Sequence, residues 1–196
     1  AKRELAHGVL IMNYLPPAGS SIIHPHMQAL ASNIPFNLQR LLEAKSYEYF
    51  LSTSRNYWMD LIEHERKAGE RFIAEGRRLA WLAPYAPLRF FEVWGVFKEA
   101  LDPVELGIEA LEEVAEGVFK VLSFYQEKEM LCFNMAFMLP PMGSAQAYFN
   151  PQVRLCARLG LSQPFLNDFW ALAALLHESE VVEAPEDYAA EARKFF

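Results

Sequence analysis

The chain has 196 residues, 53% of them apolar, and a formal net charge of −7. It is long enough to fill one large or two small hydrophobic cores. The acidic balance argues against a nucleic-acid partner, because binding a polyanion normally takes a basic stripe; local donors can still hold a small nucleotide. No apolar run approaches the roughly 18 residues of a membrane span. The charged start Ala1-Lys2-Arg3-Glu4 lacks the apolar core of a signal peptide.

In chain order, Gly8-Val9-Leu10-Ile11-Met12-Asn13 reads as a buried strand. Leu15-Pro16-Pro17-Ala18-Gly19-Ser20 ends it, since two prolines and a glycine cannot continue a ladder. A second strand is expected over residues 22–31. From Asn37 to about Lys67 the apolar residues recur at helical spacing, with Gly69 as the stop. Uneven spacing near Ser52-Thr53-Ser54 allows a break into two helices. Short β-like runs follow at 71–74, 78–83 and 90–97. In the last of these Glu92 is expected on the solvent side, a structural carboxylate being the alternative. Asp102-Pro103-Val104-Glu105 carries the cap, the proline and the acidic third position of a helix start. Strands are expected at 130–138 and 152–159, an apolar helix at 165–176, and a final helix at 183–196 with Arg193-Lys194 in its last turn.

The two cysteines, Cys132 and Cys156, are not spaced as a Cys-x-x-Cys pair and read as small core residues of a chain in a reducing compartment, by default the cytoplasm. The tryptophans and fifteen phenylalanines read as core and interface mass. Leu15-Pro16-Pro17-Ala18-Gly19-Ser20 recurs as Leu139-Pro140-Pro141-Met142-Gly143-Ser144, each copy preceded by an apolar strand. A duplicated supersecondary unit accounts for this echo, the chain starting partway through its first repeat.

The residues with the most chemistry are His24-Pro25-His26-Met27-Gln28. On an extended strand His24, His26 and Gln28 share one face. Two imidazoles and a carboxamide can attack phosphorus, hold a proton and donate to phosphate oxygens. Gly19-Ser20-Ser21 ahead of them can bring N–H and hydroxyl donors close to an anion. A nucleophilic histidine splits a nucleotidyl transfer into two easier steps, and it needs its second ring nitrogen held by an acceptor. On spacing alone a metal pair, or a pair of half-exposed histidines, stays open. Pro25 argues for an edge or a special local geometry.

Asn13, eleven residues before His24, together with Gly19-Ser20-Ser21 and His24-Pro25-His26-x-Gln28, resembles the active-site signature of galactose-1-phosphate uridylyltransferases, of the histidine-triad superfamily. That signature is close to Asn-x-Gly-x-x-x-Gly-x-Ser-x-x-His-Pro-His-x-Gln. Leu82-Ala83-Pro84-Tyr85 followed by Arg89-Phe90-Phe91-Glu92 is similar to a second segment of the family. The resemblance covers most of residues 8–93. It implies an α+β, histidine-triad-like fold, an antiparallel sheet flanked by helices. Residues 1–36 would be the C-terminal part of a first repeat, 37–68 a helical connection, and 69–196 a degenerate second repeat. It also implies transfer of a nucleoside monophosphate from a nucleotide sugar to a sugar phosphate, in a homodimer. His26 would be the nucleophile; Gln28, Ser20 and Ser21 would bind phosphate and Asn13 the nucleotide side. His24 would be a zinc ligand whose companions lie outside this chain. Two departures stand out: Leu15 replaces the motif's first glycine, and Cys156-Ala157-Arg158 stands where the second repeat often carries His-x-His. A dinucleoside polyphosphate phosphorylase or hydrolase, or a non-catalytic nucleotide-binding or dimerisation module, are the alternatives.

Overall fold

The alternation of apolar runs with Pro- and Gly-rich breaks resolves into seven strands among the described residues of the computed structural model, which are 6–143, 145–159 and 181–196. The strands are β1 (His7–Tyr14), β2 (Gln28–Ser32), β3 (Phe72–Glu75), β4 (Leu79–Leu82), β5 (Val93–Phe97), β6 (Cys132–Met138) and β7 (Gln152–Arg158). They form one antiparallel sheet in the order β2-β1-β6-β7-β5-β4-β3. With helices α1 (Asn37–Thr53), α2 (Tyr57–Ala68), α3 (Ile108–Glu127) and α4 (Pro185–Ala192), the α+β architecture expected from the sequence is present. The expected helix at 165–176 lies outside the described residues.

Each face of the sheet buries its own cluster. On one, Leu10, Met12, Phe137, Val153, Leu155 and Trp81 pack with Val114, Val121 and Phe124 of α3 and Tyr188 and Ala189 of α4. On the other, Leu82, Val96 and Trp94 pack against Trp58 and Ile62 of α2 and Leu42 of α1. Period-2 strands with apolar residues on both faces require exactly such cover on both sides, because each half of the pleat must leave water. Segments 1–36 and 69–196 both contribute strands to this single sheet.

Several expected boundaries move for physical reasons. The long helical pattern does break at Ser54, whose φ of 57° is left-handed. Asn56 then restarts the helix by accepting from the N–H groups of Trp58 and Met59. Asp102 caps only a 3-10 turn, Pro103–Glu105; α3 begins at Ile108. The second strand begins at Gln28, so residues 22–27 are not in the ladder. Pro25 has no N–H to offer a ladder. The final helix stops at Ala192 and runs on as a 3-10 turn, Arg193–Phe195, and the Arg193 guanidinium donates to the carbonyls of Gly69, Glu70 and Phe72.

The two Leu-Pro-Pro loops leave adjacent antiparallel strands, β1 and β6, and so lie at opposite ends of the pair. Gly19 and Gly143 both adopt left-handed φ, 90° and 85°, which explains a glycine at that place in each copy. Ser144 is outside the described residues. No helix among the described residues is long and apolar enough to cross a membrane.

Candidate active site

The loop that carries the signature residues is fixed from beneath. Asn134 of β6 donates from Nδ2 to Asn13 Oδ1 at 2.6 Å and to the carbonyl of Ala18 at 2.8 Å. Its Oδ1 accepts from Arg158 Nη1 at 2.7 Å. One side chain thus ties β1, the Pro16–Ala18 turn and β7 together. Sequence reading passed over Asn134; the available signal was an amide between Phe133 and Met135 in an otherwise apolar strand. Above this anchor the turn closes through N–H donation from Ala18, at 3.0 Å, and Ser20, at 3.3 Å, to the carbonyl of Leu15. Leu15, standing where the motif has glycine, holds φ 69° and ψ 159°, a region that favours glycine. The loop therefore takes a glycine-type course with a leucine in it.

Ser20 is buried and its hydroxyl donates to the carbonyl of Ile22 at 2.6 Å, while Ser21 is exposed. His24 and Gln28 are exposed and His26 is half-buried. The imidazoles of His24 and His26 lie 6.1 Å apart, centroid to centroid. His26 Nδ1 is 2.7 Å from the carbonyl oxygen of His24. A carbonyl can only accept, so this contact puts a proton on Nδ1, and in the neutral ring the lone pair is then on Nε2.

Register sets the rest of the face. Gln28 pairs with Ile11, Ile11 with Ala136, Ala136 with Arg154, and Arg154 with Trp94. In antiparallel pairs directly opposed residues share a face, so these side chains form one row across the sheet. The neighbouring row is Asn13, Asn134 and Cys156. A cavity of about 800 Å³ opens on this face between the sheet and the start of α1, lined among others by Ile11, Asn13, Asn134, Arg154, Arg40 and Arg89.

Glu92 is a correction to the sequence reading: it is buried, not solvated. Its Oε2 accepts from the N–H of Leu88 and its Oε1 from Trp94 Nε1, both at 2.6 Å, and Arg154 Nη1 stands 3.8 Å away. Phe91, at φ 49°, turns the chain so that Glu92 points inward. Tyr125 and Tyr188 hold this turn by donating to the carbonyls of Phe91 and Glu92. Burial pushes the Cys156 thiol up to about 12, so it is a protonated, inert group at neutral pH, and neither cysteine is in a disulfide. Among the described residues no three His, Cys, Asp or Glu side chains cluster as a metal shell. His24 and His26 by themselves do not make one.

No sequence-family profile matches the chain. An uncharacterized protein of Archaeoglobus fulgidus is 33% identical over 186 residues, 94% of this chain and 55% of that protein. Among solved structures, a uridylyltransferase superposes with a TM-score of 0.84 at 18% identity, covering 97% of this chain and 60% of the other. A galt-like protein from Arabidopsis thaliana gives 0.76 at 18%, with 97% and 61% covered. An ADP-glucose phosphorylase from Arabidopsis thaliana, solved with ADP-glucose bound, gives 0.76 at 17%, with 97% and 59% covered. At such identities the matches establish the fold, and the fold is that of the uridylyltransferases. The chain spans about 60% of the length of these proteins.

Proposed function

We propose that the protein is a nucleotidyltransferase that moves a nucleoside monophosphate through a covalent intermediate on His26. The observation that carries this reading is the His26 Nδ1 contact with the His24 carbonyl, which makes Nε2 the nucleophilic nitrogen of the neutral ring, on a half-buried side chain. In the first half-reaction Nε2 attacks the phosphorus of the nucleotide, an N–P bond forms, and the P–O bond to the remaining phosphate breaks with its electron pair on oxygen. In the second, a phosphate oxygen of the acceptor attacks the same phosphorus and the lone pair returns to Nε2. Gln28, one strand from Asn13, and Ser21 with the turn that Asn134 anchors supply donors for the equatorial oxygens.

The donor in this reading is a nucleoside-diphosphate sugar and the acceptor a sugar phosphate, in a homodimer in a reducing compartment such as the cytoplasm. The fold shared with proteins named for uridylyl transfer and ADP-glucose phosphorolysis supports the chemistry in outline. Isotope exchange tests it. Protein incubated with a nucleotide sugar and labelled sugar phosphate, without any net reaction, should move label into the nucleotide sugar. Exchange that needs a third substrate, or fails with uridine and adenosine donors alike, contradicts the ping-pong route.

A further inference from the structure

The two outer partners of Asn134 have fixed hydrogen-bonding roles. A guanidinium only donates, so the Asn134 atom 2.7 Å from Arg158 Nη1 is its oxygen. A carbonyl only accepts, so the atom 2.8 Å from the Ala18 oxygen is its nitrogen. The two ends agree. Turning the amide over would set its nitrogen against Arg158 and its oxygen against Ala18, a clash of like groups at both contacts.

This polarity passes on to Asn13. Asn134 Nδ2 stands 2.6 Å from the Asn13 side chain, and a donating nitrogen needs an oxygen opposite, so Asn13 turns Oδ1 to it. Nδ2 of Asn13 is the end left over, and it has no hydrogen-bond partner among the described residues. Asn13 is half-buried and lines the cavity of about 800 Å³ beside Asn134. Register makes the chain of contacts possible. Asn13 opposes Asn134, Asn134 opposes Cys156, and Arg158 follows Cys156 by two residues on the same face of β7. The bond from Arg158 is charge-assisted, and an amide whose oxygen accepts from a cation donates more strongly from its nitrogen.

We propose that Arg158 is a positioning residue: acting through Asn134, it fixes Asn13 as a hydrogen-bond donor, so that position 13 selects an oxygen acceptor on the nucleotide. Phosphoryl oxygens and base carbonyls qualify. Arg158 itself touches no substrate. Neither Asn134 nor Arg158 lies in the segments of residues 8–93 that carry the family resemblance. The role given to Asn13 rests on the proposed nucleotidyl transfer.

Calorimetric titration with UMP and AMP, and separately with uridine and adenosine, reads binding without turnover. Asn13→Asp keeps the oxygen that Asn134 needs and puts a second oxygen where the N–H was, so affinity should fall by about tenfold or more. A fall confined to UMP and AMP puts the acceptor on the phosphate; an equal fall with the nucleosides puts it on the base. Arg158→Met should weaken the same binding by about three- to tenfold, and Arg158→Lys, which still can only donate, should restore it. A purely structural Arg158 would lower the melting temperature of Arg158→Met and leave the affinity of the folded protein unchanged. In wild-type protein the side-chain N–H resonances of Asn13 should shift when UMP or AMP is added, a readout that stands even where Arg158→Met does not fold. Undiminished binding by Asn13→Asp, equal weakness of the Met and Lys variants, unmoved Asn13 resonances, or no binding by the wild type overturns the proposal. Failure of the His26 chemistry is a separate result, seen as absence of a covalent nucleotide in protein that still binds UMP or AMP.

Discussion

The imidazole of His26 and the backbone carbonyl of His24 are joined by a 2.7 Å hydrogen bond in which the ring must donate. It is the main chain of His24, not its imidazole, that sets the His26 tautomer. His24→Ala should therefore retain kcat within about tenfold, while His26→Ala should fall to background, since nothing else in the loop replaces a nucleophile. Steady-state kinetics of the two variants checks this. Equal collapse of both would assign the His24 side chain a role of its own, such as metal binding.

Leu15 occupies a backbone region that favours glycine, at φ 69° and ψ 159°. Such strain costs about 1–3 kcal/mol, set against the extra chain entropy of glycine, about 0.5–1 kcal/mol. Leu15→Gly should leave a net gain in stability of about 1 kcal/mol, seen as a higher urea midpoint. A lower midpoint would mean that the Leu15 side chain contributes more by packing than its backbone loses.

Asn134 satisfies Asn13, Ala18 and Arg158 at once. Asn134→Leu leaves those groups without this partner, at about 1–3 kcal/mol for a buried unmet polar group. The loop before His26 loses its anchor, so KM should rise more than kcat falls. Thermal melting and kinetics together check it; a variant with unchanged KM would separate Asn134 from the site.

His7 and Glu43 form a half-buried pair of another kind, 3.9 Å apart, with His7 Nδ1, Glu43 Oε1 and the nearby Gln39 Oε1 all lacking a hydrogen-bond partner. Burial holds the Glu43 carboxyl above its ordinary value and the His7 imidazole below its own. For a carboxyl raised on folding, the favourable contribution is complete below the ordinary value of 4.5 and is lost as pH rises through the raised one. Glu43→Gln should thus stabilise the fold at pH 7–8 and lose that advantage near pH 4. Melting temperatures of the two proteins against pH check the sign. The reverse order would show Glu43 paired as a carboxylate with a protonated His7.

Much of this was legible in the sequence where the signal is local. The Gly8–Asn13 strand, the break at Ser54 and the loop glycines follow from periodicity and from backbone freedom. Which residues share a face with Gln28 depends on register between strands more than 100 residues apart, as Asn13 and Asn134 are. Arg154 shows this most clearly: it is buried against Trp94 of the neighbouring strand, and nothing in the local sequence of β7 marks it. Glu92 was misread for a related reason, since alternation fails where Phe91 turns the chain through positive φ. The boundary of the His24–His26 segment was missed because Pro25 extends the chain without pairing it.

The most direct measurement of the central claim is to map the covalent nucleotide. Protein exposed to a nucleotide sugar, quenched at alkaline pH and digested, should yield a peptide carrying one nucleoside monophosphate on His26. The adduct should be lost in acid and absent from His26→Ala. An adduct on any other residue, or none from protein that turns over the same donor, would contradict the account.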